Sequence, residues 1–188
     1  MASLSECGKI VTGGTPPKKR SEYYCSQDIH FYKPNDFTDD GVTVLSASEE
    51  FISEAARNVA DIFPVGTVLV TCIGNIGKIG ILNDEGTCNQ QINVIVPFAD
   101  KCLSEYIAIA IWVRKSDLIK LANATTVPII NKTLFSSFKI PLPTIEQQRS
   151  FVEFFKQSDK SKFNVSNRNL SSCLVIQKII FGVMMSSR

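Results

Sequence analysis

The sequence contains one histidine, His30, and one tryptophan among its 188 residues. A single imidazole excludes a histidine-rich metal site and leaves little room for histidine as a general acid or base. Basic and acidic residues nearly balance, at 20 against 18, so no excess of positive charge marks a nucleic-acid-binding protein. No apolar run approaches the roughly 18 residues of a membrane-spanning helix. The composition, 44% hydrophobic and 20% charged, is that of a globular protein.

The cysteine spacing excludes a zinc finger and a CxxC redox motif. The six cysteines are Cys7, Cys25, Cys72, Cys88, Cys102 and Cys173, and the closest pair is 14 residues apart. The first residues also lack the basic and apolar regions of a signal peptide. We therefore expect free thiols in a reducing compartment, and a cytoplasmic location.

Motifs that would indicate catalysis are missing. The sequence has no G-x-S-x-G, no defensible cysteine–histidine pair, no carboxylates at metal-ligand spacing and no methyltransferase cofactor loop. The string GNIGKIG at 74–80 is not a nucleotide P-loop, because its lysine is followed by a predicted strand instead of Ser or Thr opening a helix. We interpret it as a tight turn with Lys78 at its tip. The residues alone predict a binding or assembly module with no cofactor and no metal.

Turn-bounded, β-rich segments predict strands at 10–12, 42–46, 65–73, 79–82 and 92–96. The apolar spacing over 47–62 is closer to helical. A helix is predicted from Ser104, as its N-cap, through Leu121. Residues 125–130 are predicted to be extended, 131–135 to form a short helical turn, and 139–143 to be extended because of their prolines.

A long helix is predicted after Pro143. Thr144 and Gln147 fit a capping box, and no proline or glycine occurs from 144 to 181. The polar stretch 158–169 leaves open whether the helix runs unbroken to 185. The balance of charge changes at the same boundary. Residues 145–188 carry seven basic and three acidic side chains, whereas residues 1–144 carry 13 basic and 15 acidic side chains.

The order of these strings resembles one repeat of the specificity (S) subunit of type I restriction–modification systems. The strings are Gly13-Gly14-Thr15-Pro16 with Tyr23-Tyr24 downstream, GNIGK at 74–78, NQQ at 89–91, and IPLP-x-x-EQQ at 140–148 leading into a long helix. The last is the most specific. Many family members carry an Ile-Pro-Trp-like segment where this chain has Ile29-His30-Phe31, and we expect that difference to change packing and not function.

The resemblance implies an α/β (mixed α+β) target-recognition domain over 1–143, with a mixed, highly twisted sheet. A conserved helical spacer, a long C-terminal α-helix, would occupy 144–188. The implied function is non-catalytic recognition of double-stranded DNA, positioning a methylation (M) subunit and, through it, a restriction (R) subunit on a split site. No membrane is implied. Because family subunits contain two domains and two spacers, the chain is expected to be a half-length subunit or half of a longer one.

The spacer also predicts a homodimer. Its apolar positions exceed what one helix can hide alone, and a twofold pair of chains would read two inverted half-sites. The expected interface residues are Phe163, Leu170, Cys173, Leu174, Ile180 and Phe181.

Candidate DNA contacts are loop residues with cationic, amide or hydroxyl side chains, together with the paired tyrosines. They are Thr15, Lys18, Lys19, Arg20, Tyr23, Tyr24, Asn75, Lys78, Gln91, Thr125, Thr126, Asn131 and Lys132. The cations are expected to contact phosphates, and Arg20 could also reach guanine edges.

The alternative for the 13–20 loop is a solvated surface loop with no role in binding. Asn89 and Gln90 could read adenine, but we favour a role in fixing the start of the next strand.

Two other functions remain open from the sequence. One is an assembly module without direct DNA contact, which a salt-dependent DNA-binding assay would test. The other is a methyltransferase-associated accessory domain, which would bind S-adenosylmethionine or a divalent metal in a calorimeter.

Overall fold

The structure is a computed structural model that describes residues 1–123 and 126–162, the last five as backbone alone. Within these ranges the strands are β1 Ala2–Ser3, β2 Gly8–Thr12, β3 Ile29–Tyr32, β4 Val42–Leu45, β5 Glu50–Ile52, β6 Val68–Thr71, β7 Ile79–Leu82, β8 Gly86–Cys88, β9 Ile92–Pro97 and β10 Lys139–Ile140. The helices are α1 Leu4–Cys7, α2 Ser104–Val113, α3 Lys115–Ile119, α4 Lys132–Ser137 and α5 Ile145–Lys162. Short 3-10 turns lie at Ser21–Tyr24, Pro34–Asp36 and Glu54–Ala56.

Strand pairing gives three sheets in the described ranges. The largest has the order β2-β9-β6-β7-β4 and is antiparallel except for the parallel pair β7 and β4. A second sheet, β5-β3-β8, pairs β3 parallel with β8 and antiparallel with β5. The pair β1 and β10 joins the start of the chain to the segment before α5. The expected mixed α/β class with a mixed, twisted sheet is confirmed.

The central strand β6 separates two parts of the core. Val68 and Val70 belong to the cluster that also contains α2, whereas Leu69 belongs to the cluster that contains β8. All three side chains are fully buried. Helix α2 is buried continuously from Tyr106 to Ile111, as expected of a helix that is apolar on all sides. The five-stranded sheet therefore lies between α2 and the three-stranded sheet.

The helical prediction for 47–62 is wrong. This segment contains strand β5 and the 3-10 turn Glu54–Ala56. In β5, Ile52 pairs with Ile29 of β3 and is fully buried. Pairing with β3 therefore overrides a weak local pattern, because strand preference depends on the neighbouring strand.

The helix predicted from Ser104 is interrupted in the structure. Arg114, with φ −102° and ψ 19°, separates α2 from α3. Its guanidinium donates to the carbonyl of Lys139 and lies 5.2 Å from the centre of the Phe138 ring. These contacts accompany a turn that contains neither proline nor glycine. The N-cap position is occupied by Leu103, not by Ser104.

The capping box at the start of α5 is confirmed. The Thr144 backbone N–H donates to Gln147 Oε1 at 3.1 Å, and the Gln147 N–H donates to Thr144 Oγ1 at 3.4 Å. This reciprocal pair satisfies two N–H groups that a helix start otherwise leaves without a partner.

The first turns of α5 pack against α2. Phe151 meets Tyr106 edge to face at 5.7 Å between ring centres, and Phe155 meets Trp112 at 5.8 Å. Val152 is buried in the same core cluster. The start of the predicted spacer is thus part of the globular core.

The later part of the predicted spacer lies outside the described residues. This includes all the expected interface residues, Phe163, Leu170, Cys173, Leu174, Ile180 and Phe181. The continuation of the helix to 185 and the boundary between two domains near Pro143 stay predictions. In the described part of the chain, no helix is both long and apolar enough to cross a membrane.

Gln148 connects α5 to the domain through three hydrogen bonds. Its fully buried side chain accepts from the Leu103 N–H at 3.0 Å and donates to the carbonyls of Lys101 at 2.9 Å and Pro143 at 3.0 Å. Because a buried amide is costly unless it is hydrogen-bonded, this satisfied side chain holds the start of α5 against the start of α2.

We predict that Gln148→Ala lowers the free energy of unfolding by about 2–3 kcal/mol, because three backbone groups lose their hydrogen-bond partner. Gln147→Ala is the matched control, since it removes an exposed glutamine and only the capping bond, at about 0.5–1 kcal/mol. Urea unfolding of both variants measures the difference. Equal losses in the two variants would contradict the role of Gln148.

Candidate nucleic-acid interface

The register of the five-stranded sheet places several of the predicted contact segments at one edge. Thr12, at the end of β2, pairs with Asn93 at the start of β9, and Thr71, at the end of β6, pairs with Ile92. The segments 13–20, 72–78, 89–91 and 126–131 adjoin this edge. We call these four segments the loop edge. The sequence predicted contacts in each segment separately, and the structure brings the segments together.

The glycines of the 13–20 segment allow it to lie directly against the 89–91 segment. Gly13 donates its N–H to the carbonyl of Ile92, and Gly14 donates to the carbonyl of Cys88, both at 2.9 Å. A Cβ atom on Gly13 would lie 2.3 Å from the carbonyl oxygen of Asn89, which no side chain tolerates. Glycine is therefore required at position 13 by close approach.

Side chains hold the same segment further along. Thr15 Oγ1 donates to Gln90 Oε1 at 2.7 Å, and the Tyr24 hydroxyl donates to the carbonyl of Pro16 at 2.6 Å. Burial raises the pKa of Tyr24, so the hydroxyl remains a donor at neutral pH. Tyr23 and Tyr24 also pack as half-buried side chains on the core of the three-stranded sheet. Tyr24 thus connects the 13–20 segment to the core of the three-stranded sheet.

Three consecutive cations lie beyond these anchors. Lys18, Lys19 and Arg20 are all exposed. Arg20 forms an ion pair with Glu22 at 3.3 Å. Neither Lys18 nor Lys19 makes a hydrogen bond or an ion pair within the part of the chain that the structure describes. Lys18 and Lys19, which lie on this anchored loop, are therefore available to bind an anion.

The amides of the 89–91 segment bond to each other. Asn89 Oδ1 accepts from the Gln91 N–H at 3.0 Å, and Asn89 Nδ2 donates to Gln91 Oε1 at 2.9 Å. The carbonyl of Gln91 accepts from the Cys72 N–H at 2.8 Å. With Gln90 bonded to Thr15, these contacts agree with the favoured role of Asn89 and Gln90 in fixing the start of β9.

The GNIGK segment forms a tight turn, as predicted. Gly74 and Gly77 have positive φ angles of 74° and 83°, which glycine adopts without strain. The Thr71 hydroxyl connects the two sides of the turn, since it donates to the carbonyl of Asn75 at 2.6 Å and accepts from the Lys78 N–H at 3.0 Å. The Asn75 side chain is exposed.

The prediction that Lys78 lies at the tip of this turn is wrong. Its side chain is only 12% exposed and forms an ion pair with Asp39, 2.8 Å from Nζ to Oδ1. The ammonium group lowers the pKa of Asp39 by hydrogen bonding and by its charge. Asp39 also accepts at its backbone carbonyl from Lys115 Nζ at 3.2 Å. A phosphate at Lys78 would have to displace the Asp39 carboxylate.

The 126–131 segment joins the loop edge through backbone hydrogen bonds. Gly74 donates to the carbonyl of Pro128 at 3.0 Å, and Ile130 donates to the carbonyl of Cys72 at 2.9 Å. Thr126 is exposed, and Thr125 lies outside the described residues.

Asn131 and Lys132 lie at the start of α4, within the short helical turn predicted for 131–135. Asn131 is the N-cap of α4, and its Oδ1 accepts from the Leu134 N–H at 2.9 Å. Lys132 lines a shallow cleft with Glu6 and Lys139 between α1 and α4. The role of Lys132 in DNA binding stays a prediction.

Sequence reasoning missed Asn93. This residue is 2% exposed, and its Oδ1 accepts from Thr12 Oγ1 at 2.7 Å while its Nδ2 donates to the carbonyl of Ile130 at 3.2 Å. It thereby ties β2 and the 126–131 segment to β9. The available signal was one amide within an otherwise apolar strand, since buried polar groups are normally hydrogen-bonded.

Most of the described cysteines are buried free thiols. Cys7, Cys72, Cys88 and Cys102 are buried, and Cys25 is exposed. Burial raises the pKa of Cys72 to about 12 and also raises that of Cys88, so both remain thiols at neutral pH. The described residues contain no group of three or more side chains that could hold a metal ion.

The comparisons with known proteins agree on one family. Residues 1–172 match the family model of the type I restriction modification DNA specificity domain. The specificity subunit of the type I restriction enzyme EcoR124I/EcoR124II from Escherichia coli is 31% identical over 166 residues, which are 84% of this chain and 40% of that protein. The MjaIX specificity subunit from Methanocaldococcus jannaschii is 28% identical over 170 residues, 88% of this chain and 39% of that protein. The chain spans about two fifths of the length of these relatives.

Solved structures share the fold at low sequence identity. The HsdS subunit from Thermoanaerobacter tengcongensis matches with a TM-score of 0.64 at 17% identity, over 96% of this chain and 43% of that chain. The type I S subunit from M. genitalium matches with a TM-score of 0.60 at 11% identity, over 85% of this chain and 38% of that chain. The relatives are thus named specificity subunits, the class that the sequence analysis expected.

We predict that Thr71→Val lowers the free energy of unfolding by about 1–3 kcal/mol, because the hydroxyl between Asn75 and Lys78 is lost. Thr87→Val is the matched control. Thr87 is 1% exposed, and its hydroxyl has no hydrogen-bond partner in the described part of the chain, so the same change should be neutral or stabilising. Urea unfolding compares the two variants. A similar loss in both would show that the hydroxyl bridge does not stabilise the turn.

Proposed function

The chain belongs to the family of type I restriction–modification DNA specificity domains, and we propose that it binds double-stranded DNA at the loop edge as one recognition unit of a specificity subunit. In this role it catalyses no reaction. It selects the DNA site on which methylation and restriction subunits act.

The observation that carries this proposal is the convergence of the loop segments on one edge of the sheet, next to exposed cations. The 13–20 segment is anchored through Gly13, Thr15 and Pro16, and it presents Lys18 and Lys19 without internal partners in the described ranges. Phosphate contacts of this kind position a protein on the duplex. Asn75 and Thr126 are exposed at the same loop edge, and we expect them to meet base edges.

Lys78 is a weaker candidate for a DNA contact than the three exposed cations of the 13–20 segment. Its ion pair with Asp39 is internal, so a charge reversal at Lys78 would disturb the fold as well as any DNA contact. Lys18, Lys19 and Arg20 are exposed and test the proposal more directly.

A second copy of the chain is the proposed partner for the later part of the spacer. On the described turns of α5, Phe151 and Phe155 already contact α2, whereas Phe154 is 46% exposed. A dimer seam would therefore use residues after these turns, where the six expected interface residues lie. Two copies related by a twofold axis would present two recognition units to inverted half-sites.

We predict that the triple variant Lys18→Glu, Lys19→Glu, Arg20→Glu binds random-sequence duplex DNA more weakly and with a shallower salt dependence. Each lost phosphate contact should reduce the slope of log K against log salt by about 0.9. Fluorescence anisotropy at several salt concentrations measures both quantities.

The control carries the same change of charge outside the loop edge, in Lys9→Glu, Lys101→Glu, Lys156→Glu. These three lysines are also exposed. The control should retain most of the slope. Equal effects of both triple variants would point to net charge alone, and no effect of either would favour an assembly module without direct DNA contact.

We also predict that truncation after Lys156 yields a monomer, whereas the full chain is a dimer at about micromolar concentration. The truncated chain keeps Phe151, Val152 and Phe155 in place against α2, so its domain should remain folded. Sedimentation equilibrium gives both masses. A monomeric full chain would mean that another partner covers the spacer.

A further inference from the structure

Two apolar side chains at the loop edge are exposed, and the sequence analysis assigned a role to neither of them. Val127 is 48% exposed and Ile129 is 38% exposed, whereas Ile130 is 1% exposed. Val127 and Ile129 are therefore both accessible to a binding partner at the loop edge, and Ile130 faces the core.

The backbone that carries these side chains is held in place. Ile129 forms an isolated β-bridge with Ile73, and its neighbours are bonded to Gly74 and Cys72 at 3.0 and 2.9 Å. The backbone from Pro128 to Ile130 thus lies against the glycine turn, and the Ile129 side chain is exposed there.

The surroundings favour DNA as the occupant of this apolar face. The face adjoins the GNIGK turn, with the exposed amide of Asn75, and it belongs to the same edge as the unpaired Lys18 and Lys19. Apolar side chains that share an edge with hydrogen-bonding and cationic groups suit a base-pair edge better than an apolar protein surface. In the major groove, base edges offer donors, acceptors and one apolar group, the C5-methyl of thymine.

We propose that Val127 and Ile129 contact thymine C5-methyl groups in the major groove and so determine part of the sequence specificity. This inference rests on the proposed function of the loop edge. It assigns recognition of thymine to two side chains that have no hydrogen-bonding group.

The experiment uses the full chain and compares thymine with uracil. Duplexes that the chain binds are first selected from a random-sequence pool. The selected duplex is then remade with deoxyuridine at each thymidine position in turn, which removes only the methyl group and keeps base pairing. At one or two positions, uracil should weaken binding about fourfold, the effect of burying one methyl group.

Alanine variants connect the effect to the residues. Ile129→Ala and Val127→Ala should bind the thymine duplex more weakly and the uracil duplex unchanged, so that the difference between the two disappears. Val65→Ala is the control, because Val65 is 65% exposed and lies just before β6, at the opposite end of the sheet. The control should keep the full difference between thymine and uracil.

The outcomes separate this inference from the proposed function. If no sequence is enriched from the pool, the proposed function fails, and this inference fails with it. If a sequence is enriched but binds equally well with uracil at every position, this inference alone is overturned. It is also overturned if the thymine effect persists in both alanine variants. A changed sedimentation mass of the variants without any thymine effect would assign the face to protein contact instead.

Discussion

The placement of α5 depends on one buried amide. Gln148 bonds at the same time to the segment Lys101–Leu103, which leads into α2, and to Pro143, which precedes α5. Helix α2 crosses the core, and its end approaches the loop edge, where Lys115 and Trp112 bond to Asp39 and Asp40. This side chain therefore helps to fix the start of α5, the proposed spacer, relative to the loop edge. A spacer can hold two recognition units at a fixed distance only if its attachment to each unit is rigid.

Local sequence signals predicted the elements whose causes are local. The capping box of Thr144 and Gln147 lies within four residues, and strands β7 and β9 are apolar runs bounded by turn residues, so each was predicted at nearly its observed position. The segment 47–62 was not, because β5 exists only through its pairing with β3. The interruption at Arg114 likewise accompanies contacts with Phe138 and Lys139, more than 20 residues away in sequence.

The same distinction applies to the candidate site. Sequence could identify GNIGK as a turn, since glycines at 74 and 77 permit the positive φ angles it needs. It could not show that Lys78 folds back, because its partner Asp39 is distant in sequence and is brought near by the parallel pairing of β4 with β7. Asn93 was missed for a related reason: its partners Thr12 and Ile130 come from opposite parts of the chain.

Internal hydrogen bonds restrict which side chains could recognise a base directly. Asn89, Gln90 and Asn131 have suitable amides, yet each already uses its side-chain oxygen to hold a loop or cap a helix. A group engaged in this way can contact DNA only by giving up a bond or by adding a second one through its remaining atoms. If the loop edge binds DNA as proposed, direct recognition falls to few side chains, and DNA shape and deformability would supply part of the specificity at positions that no side chain touches. The internal hydrogen bonds of the loop edge suit that mode, because they favour deformation of the DNA over rearrangement of the loops.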